Sequence, residues 1–265
     1  MTFISNPTVG PSVSPSGNWM LEAARGNLDT ISHINKFGSN KDIDTATTPE
    51  DLWGPGGVWV PPTAARIHDI ASTSASDTSA GVGIRTLRLT GLDSSWNEVT
   101  EDVTMNGTTN VATTGTFWRI YRMSSLTSGS SNVNVGNITA TAQTDSTVTA
   151  HIEAGNSQTL MAIYTVPAGK TAYMTRAYGT LDRTQAGNAL VQMTIRNRIG
   201  LDTGDNTLLT KHIISFATDG TSAHSWIYIP YKAFQEKTDI FWRIDSVSAN
   251  NLQVHGGFDL IIVDN

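Results

Sequence analysis

Hydrophobic and polar residues alternate along most of the chain beyond about residue 62, with the two-residue period of β-strands. In the segment 99–105, Val99, Val103 and Met105 fall on one face, and hydroxyl or charged side chains fall on the other. The pattern predicts strands at 65–72, 82–92, 99–105, 117–123, 133–142, 147–152, 160–166, 172–181, 190–199, 208–217, 226–231, 240–247 and 252–263. Turn-forming residues between these segments favour an antiparallel sandwich or barrel.

The last predicted strand ends in the almost wholly apolar run 258–263. Such a run is typical of a strand buried on both faces. Alternation places Leu260 and Ile262 on one face and Ile261 and Val263 on the other. We therefore expect the end of the chain to belong to the core.

Turn residues give two further predictions. Asn106-Gly107 predicts a three-residue hairpin loop that places Val103 opposite Thr109 and gives Gly107 a left-handed conformation. Pro167-Ala168-Gly169-Lys170 is typical of a β-turn. The segment 117–123, apolar on both faces apart from its arginines, is predicted to be a central strand.

Residues 1 to about 60 lack a sustained period and are punctuated by proline and glycine, apart from a short predicted helix at 19–25. Large apolar side chains in this segment would be costly to leave in water. They include Phe3, Ile4, Trp19, Phe37, Leu52 and Trp53. Either the segment is an arm that docks on a neighbouring subunit, or it wraps its own domain.

The predicted fold is therefore all-β. It comprises an extended, irregular N-terminal arm at 1–60, a first β domain at 61–153, and a second, jelly-roll-like β domain at 154–265. Both domains are expected to be antiparallel β-sandwiches.

Composition narrows the function classes. Charged residues are only 15% of the chain, the formal net charge is −6, and lysines and arginines are not clustered, which argues against nucleic-acid binding. The absence of cysteine excludes disulfides, thiolate metal sites and a cysteine nucleophile. No secretory signal or membrane-spanning run is visible, so we expect a protein made in a cytoplasm.

Candidate chemistry is sparse, and neither a cofactor nor a metal site is predicted. The six histidines lack metal-site spacing, so His212 and His224, on adjacent predicted strands, are expected at the surface or the core edge rather than at a metal. The loop 202–206 has the oxygen ligands that Ca²⁺ prefers, but it lacks the full EF-hand spacing, and turn chemistry is the favoured explanation. Trp226, Tyr228 and Tyr231 either contact a glycan or fill the core. Three acidic residues that lie close together in the sequence are expected on a solvated strand face: Glu98, Glu101 and Asp102.

Several stretches resemble a group of small virion structural proteins of tailed bacteriophages, especially phages of marine bacteria. They are Ile34-Asn35-Lys36-Phe37-Gly38, Asp42-Ile43-Asp44-Thr45, Glu50-Asp51-Leu52-Trp53, Arg85-Thr86-Leu87-Arg88-Leu89-Thr90-Gly91-Leu92-Asp93, Asn106-Gly107-Thr108-Thr109, Tyr164-Thr165-Val166-Pro167-Ala168-Gly169-Lys170-Thr171, Glu236-Lys237-Thr238-Asp239-Ile240 and Gly257-Phe258-Asp259-Leu260-Ile261-Ile262-Val263. The resemblance spans nearly the whole chain after about residue 30 and carries no catalytic motif.

This resemblance implies a non-enzymatic virion component on the capsid surface, the neck or the tail. Its expected partners are other virion proteins and further copies of itself, in a trimer by analogy with other viral jelly rolls. The alternative is a module of the virion that binds a carbohydrate or host receptor. A polysaccharide-degrading enzyme is the third class, and it needs a pair of carboxylates about 5–10 Å apart.

Overall fold

The computed structural model describes residues 19–183, 189–198, 207–218 and 222–265, and these residues are nearly all β. Within these described residues, one short helix, α1 (Trp19–Ala24), precedes sixteen strands. The strands are β1 (Ile31–Ile43), β2 (Glu50–Asp51), β3 (His68–Ser72), β4 (Ile84–Leu92), β5 (Glu98–Thr104), β6 (Val111–Ala112), β7 (Arg119–Ser128), β8 (Ile138–Ala142), β9 (Val148–Ile152), β10 (Ile163–Thr165), β11 (Lys170–Arg183), β12 (Ala189–Arg198), β13 (Leu208–Thr218), β14 (Ser222–Phe234), β15 (Asp239–Val247) and β16 (Leu252–Asp264). The all-β prediction is confirmed.

The strands form four antiparallel sheets. Sheet I has the order β1-β16-β11-β14, and sheet II has the order β10-β15-β12-β13 with β2 on β15. Sheet III has the order β6-β3-β8-β9, and sheet IV has the order β5-β4-β7. Sheets III and IV use only strands from 61–153, whereas β1 and β2 join sheets built from strands after residue 154. The first β region is thus inserted between the first strands of the second region and the rest of it.

Two hydrophobic cores hold the sheets together, and each contains side chains from both regions. The first core includes Trp242, Phe258 and Leu260 of the second region together with Leu92 and Tyr121 of the first. The second core includes Ile84 and Ile120 of the first region together with Ile163 and Phe241 of the second. Sheet II faces both cores, because adjacent residues of β15 point to opposite faces.

This arrangement corrects the prediction for the final strand. The strand that is buried on both faces is β15, where every residue from Asp239 to Ile244 is buried. β16 buries only one face completely: Leu260 and Ile262 are buried, while Ile261 and Val263 are partly exposed. The predicted alternation along β16 is confirmed, but its outer face has no core against it.

Two buried, bidentate ion pairs fix β15 to other strands, and the first of them joins the two β regions. Arg119 of β7 donates from Nε and Nη2 to the carboxylate of Asp239 in β15, at 2.9 and 3.0 Å. Arg243 of β15 donates likewise to Asp51 of β2, at 2.7 and 3.0 Å. Two parallel hydrogen bonds satisfy the guanidinium and the carboxylate at the same time. Buried charges need such partners, because burying an unpaired charge is costly.

The prediction of an irregular arm is wrong for residues 31–51. β1 pairs with β16 along its length, from Ile31 opposite Val263 to Ile43 opposite Leu252. Gly38 lets β1 pass close to the backbone at Leu52. A Cβ at this position would lie only 2.3 Å from the Leu52 carbonyl oxygen, so a larger residue would not fit. Trp53 and Leu52 are buried in the two cores, so this part of the chain wraps its own domain.

The predicted hairpin at Asn106-Gly107 is also wrong. Val103 pairs with Leu87 of β4, and the segment after the turn pairs with β3, so the predicted register of Val103 opposite Thr109 does not occur. The left-handed conformation of Gly107, with φ of 61°, is confirmed. The strand predicted at 117–123 as central is β7, which lies at the edge of sheet IV although its first residues are buried.

Candidate functional site

The surface of sheet I carries an apolar face, which comprises Trp19 and Met20 of α1, Ile227 of β14, and Ile229 and Tyr231 in the bulge of β14 that has no paired residue in β11. The exposed fraction is 71% for Ile227 and 89% for Ile229. Arg176, opposite Ile227 in the neighbouring strand, is exposed on the same face of the sheet. The apolar face therefore points away from the core.

Helix α1 extends this face because it lies across the outer side of β1 and β16. A groove of about 210 Å³ between helix and sheet is lined by Trp19, Met20, Ile34, Tyr231 and Ile261, among others. Within α1, Glu22 accepts hydrogen bonds from Arg25 and Asn27, which ties the helix end to the following turn. The groove thus joins Tyr231 to the helix in one continuous apolar surface.

A second feature is a cleft of about 470 Å³ where the two β regions meet. Ser32 and Ile262, which pair across β1 and β16, form one wall. Asn97 and Glu98 at the start of β5 form another. The remaining lining residues are His33, Ile34, Tyr164, Pro167, Ala168 and Lys170. The cleft therefore combines an apolar floor with hydroxyl, amide, carboxylate and ammonium groups.

The two walls of this cleft are fixed to each other. The Asp93 carboxylate accepts backbone hydrogen bonds from Ser95 and Asn97, at 2.8 and 2.9 Å, which shapes the turn before β5. The backbone N–H of Ala168 donates to the Trp96 carbonyl at 2.9 Å, which links that turn to the second region. The cleft is consequently built from ordered backbone on both sides.

Two tyrosines and Glu98 set the electrostatics of the cleft. The Tyr121 hydroxyl donates to Oε2 of Glu98, and the Tyr121 ring meets the Tyr164 ring edge-on with centroids 5.0 Å apart. Burial, with the nearby Glu98 charge, raises the pKa of Tyr164, so its hydroxyl stays protonated. None of the described residues hydrogen-bonds the Tyr164 hydroxyl, although the residue is only 1% exposed.

Lys36 follows Ser32 and Ile34 on the same face of β1 and is buried. Its ammonium nitrogen donates to the Tyr121 carbonyl and lies 5.5 Å from the Tyr121 ring centroid. Burial, and secondarily the Arg122 charge, lower the pKa of Lys36 well below its ordinary value. The buried Lys36 side chain therefore packs directly against Tyr121.

The three aromatic residues proposed for glycan contact do not share a surface. Tyr228 is buried, and Trp226 packs against the first core. Tyr231 lies on the apolar face. His212 and His224 do come together with Trp226, at ring distances of 5.7 and 5.3 Å, in an aromatic cluster at the edge of the core.

The other sequence candidates have structural partners or lie elsewhere. Glu101 accepts hydrogen bonds from the backbone N–H groups of Thr114 and Gly115, and Asp102 pairs with Arg88. Phe37 is half-buried in β1. Phe3, Ile4 and the loop 202–206 lie outside the described residues.

Over the described ranges, no group of three or more histidine, aspartate or glutamate side chains is placed to hold a metal ion. Likewise, none of the helical segments described there has the length and apolar character to cross a membrane.

Comparison with known proteins gives little. No protein-family model matches the chain, and the search of curated proteins also finds no match. Among solved structures, a chain of the T=1 particles derived from infectious bursal virus shows 11% identity, over 89% of this chain and 70% of that one. The TM-score of 0.20 is too low to establish a shared fold.

Proposed function

We propose that this chain is a non-enzymatic structural protein of a tailed-bacteriophage virion, on the capsid surface, the neck or the tail. Its second domain acts as a jelly-roll-like sandwich, and copies assemble into a homo-oligomer, a trimer by analogy. The apolar face is the observation that carries this proposal. The sequence resemblance to phage virion proteins supports the proposal that the chain belongs to a phage virion.

The energetics of the apolar face favour a covered surface. Removing a large aliphatic side chain from water is worth roughly 1.5–3 kcal/mol. Ile227 and Ile229 are 71% and 89% exposed, so the isolated chain forgoes most of that stabilisation at two positions. Contiguous apolar surface beside polar residues is typical of a protein–protein interface.

The edge position of β14 supports the same conclusion. Among the described strands, β14 is hydrogen-bonded only to β11 within sheet I. Edge strands of soluble proteins usually carry charges that discourage association. In β14 the single charged side chain is Lys232, and its ammonium lies 5.1 Å from the Tyr228 ring centroid. A second copy of the chain is the partner that a repeated assembly would supply.

Within the N-terminal segment, only the residues before β1 are now proposed to dock on a neighbouring subunit. Trp19, 44% exposed, belongs to the apolar face. Leu52 and Trp53 are committed to the cores and Phe37 to β1, so these three support the chain's own fold. A role for Phe3 and Ile4 in docking stays a proposal.

The test is the mass of the full-length protein by light scattering and sedimentation equilibrium across concentration. We expect the wild type to form an oligomer and the variant Ile227→Glu/Ile229→Glu to be monomeric with an unchanged melting temperature. Leu126→Glu is the matched control, because Leu126 is 42% exposed in β7, away from the apolar face. A wild type that stays monomeric at high concentration, or a double variant that still oligomerises, contradicts the proposal.

A second candidate function, carbohydrate or receptor binding, is favoured by the cleft between the regions. The third, a polysaccharide-degrading enzyme, gains no support from Glu101 and Asp102, whose carboxylates are engaged by backbone amides and by Arg88.

A further inference from the structure

We propose that the cleft between the two β regions binds one neutral saccharide unit through Glu98, Tyr164, Asn97 and Ser32. This inference rests on the second candidate function above and is independent of assembly through the apolar face. It moves the expected glycan contact away from Trp226, Tyr228 and Tyr231.

The size and position of the cleft suit a small ligand. Its volume of about 470 Å³ lies within the ~300–1,000 Å³ that is usual for small-molecule sites. Ligand sites also occur preferentially where two structural units meet. Here one wall comes from β5 and the other from β1 and β16.

The unused hydrogen-bonding capacity of the cleft points to a ligand. The Tyr164 hydroxyl can donate one hydrogen bond and accept others, yet no described residue satisfies it. Because Tyr164 lines the cleft, a bound ligand can take up this hydrogen-bonding capacity in place of water. Glu98 receives the Tyr121 hydroxyl on Oε2, and no described residue donates to Oε1.

The mixture of groups indicates the class of that ligand. A cation would need acceptors, and an anion would need donors. This cleft offers a carboxylate acceptor in Glu98 and an amide in Asn97, together with hydroxyls in Ser32 and Tyr164. Lys170, the nearby ammonium, is paired with Asp264. A sugar ring matches both requirements, because its hydroxyls donate and accept while its C–H face can lie on Ile34, Pro167 and Ile262.

The test uses saturation-transfer NMR and titration of the full chain with methyl glycosides of glucose, galactose, mannose and N-acetylglucosamine. Tyr164→Phe removes only the unpaired hydroxyl, so we expect an unchanged melting temperature and about 3- to 10-fold weaker binding. Glu98→Gln is expected to weaken binding as well.

Tyr228→Phe is the matched control, because it removes another buried hydroxyl without a described partner, at a distance from the cleft. It should leave saccharide binding unchanged. The proposal is overturned if none of the four glycosides binds at millimolar concentration. It is equally overturned if binding survives Tyr164→Phe and Glu98→Gln but is lost in Trp226→Ala. None of these outcomes depends on the oligomeric state.

Discussion

Replacing Arg119 by methionine should destabilise the whole chain strongly. Arg119 and Asp239 are 2% and 0% exposed, and the guanidinium lies 5.5 Å from the Trp59 ring centroid and 5.3 Å from that of Trp96. The substitution keeps most of the side-chain volume but removes the guanidinium that donates to both carboxylate oxygens of the buried Asp239. The Thr165 hydroxyl, at 2.5 Å, cannot replace that charge.

Breaking a buried ion pair by removing one partner costs about 3–5 kcal/mol. At about 2–4 °C per kcal/mol for a chain near this size, the melting temperature should fall by about 6–20 °C. Scanning calorimetry measures that fall directly, and urea unfolding supplies the free energy.

The matched control is Arg88→Met. Arg88 and Asp102 have the same bidentate geometry, with both distances 2.8 Å, but their side chains are 45% and 43% exposed. Water and salt screen such a pair, so the melting temperature should hardly change.

The double variant Arg119→Met/Asp239→Leu should recover much of the lost stability, because it also removes the buried carboxylate that Arg119 compensates. An Arg119→Met protein that melts like the Arg88→Met protein would refute the reasoning. A double variant less stable than either single variant would show that the two effects add, so that lost charge compensation does not explain the cost of Arg119→Met.

Three further predictions concern pH and the two ends of the chain. Burial lowers the pKa of His68 from 6.5 to about 4, so the unfolded chain binds a proton that the folded chain excludes between these values. Stability should therefore fall by up to about 3 kcal/mol as pH drops from 6.5 to 4, and His68→Asn should flatten that slope in urea titrations; equal slopes would contradict it. Deleting residues 258–265 removes Phe258, Leu260 and Ile262 from the strand between β1 and β11, so soluble protein should be lost. Deleting residues 1–30 should leave a folded, non-assembling chain, and a cooperative melt from the first deletion would show that the core lies elsewhere.

The strands of the second region could be predicted well because their partners share a clear apolar face. The predicted segments at 208–217, 240–247 and 252–263 differ from β13, β15 and β16 by one residue at most at each end. Local alternation was sufficient there.

Pairing between distant segments could not be predicted in the same way. β1 carries Lys36 and Asn40 at buried positions, so its composition does not indicate a core strand. The Asn106-Gly107 turn has hairpin chemistry, yet β5 pairs back onto β4. In both cases the tertiary partner outweighs the local signal.

The cleft illustrates the same limit for function. Glu98 and Tyr164 are 66 positions apart in the numbering and lie in different sheets. Glu98 alone resembles a solvated strand residue, and Tyr164 alone resembles a core aromatic. Their meeting depends on the Ala168–Trp96 backbone contact, for which the sequence holds no motif.

The pairing of β1 with β16 has a consequence during synthesis. β1 ends at Ile43 and its partner begins at Leu252, so the ribosome must add about 200 residues before the pair can form. At ~5–20 residues per second this takes roughly 10–40 s. The inserted first region can collapse within that time, while β1 waits with unpaired backbone. The nascent chain therefore carries β1 without its β16 partner until translation is nearly complete.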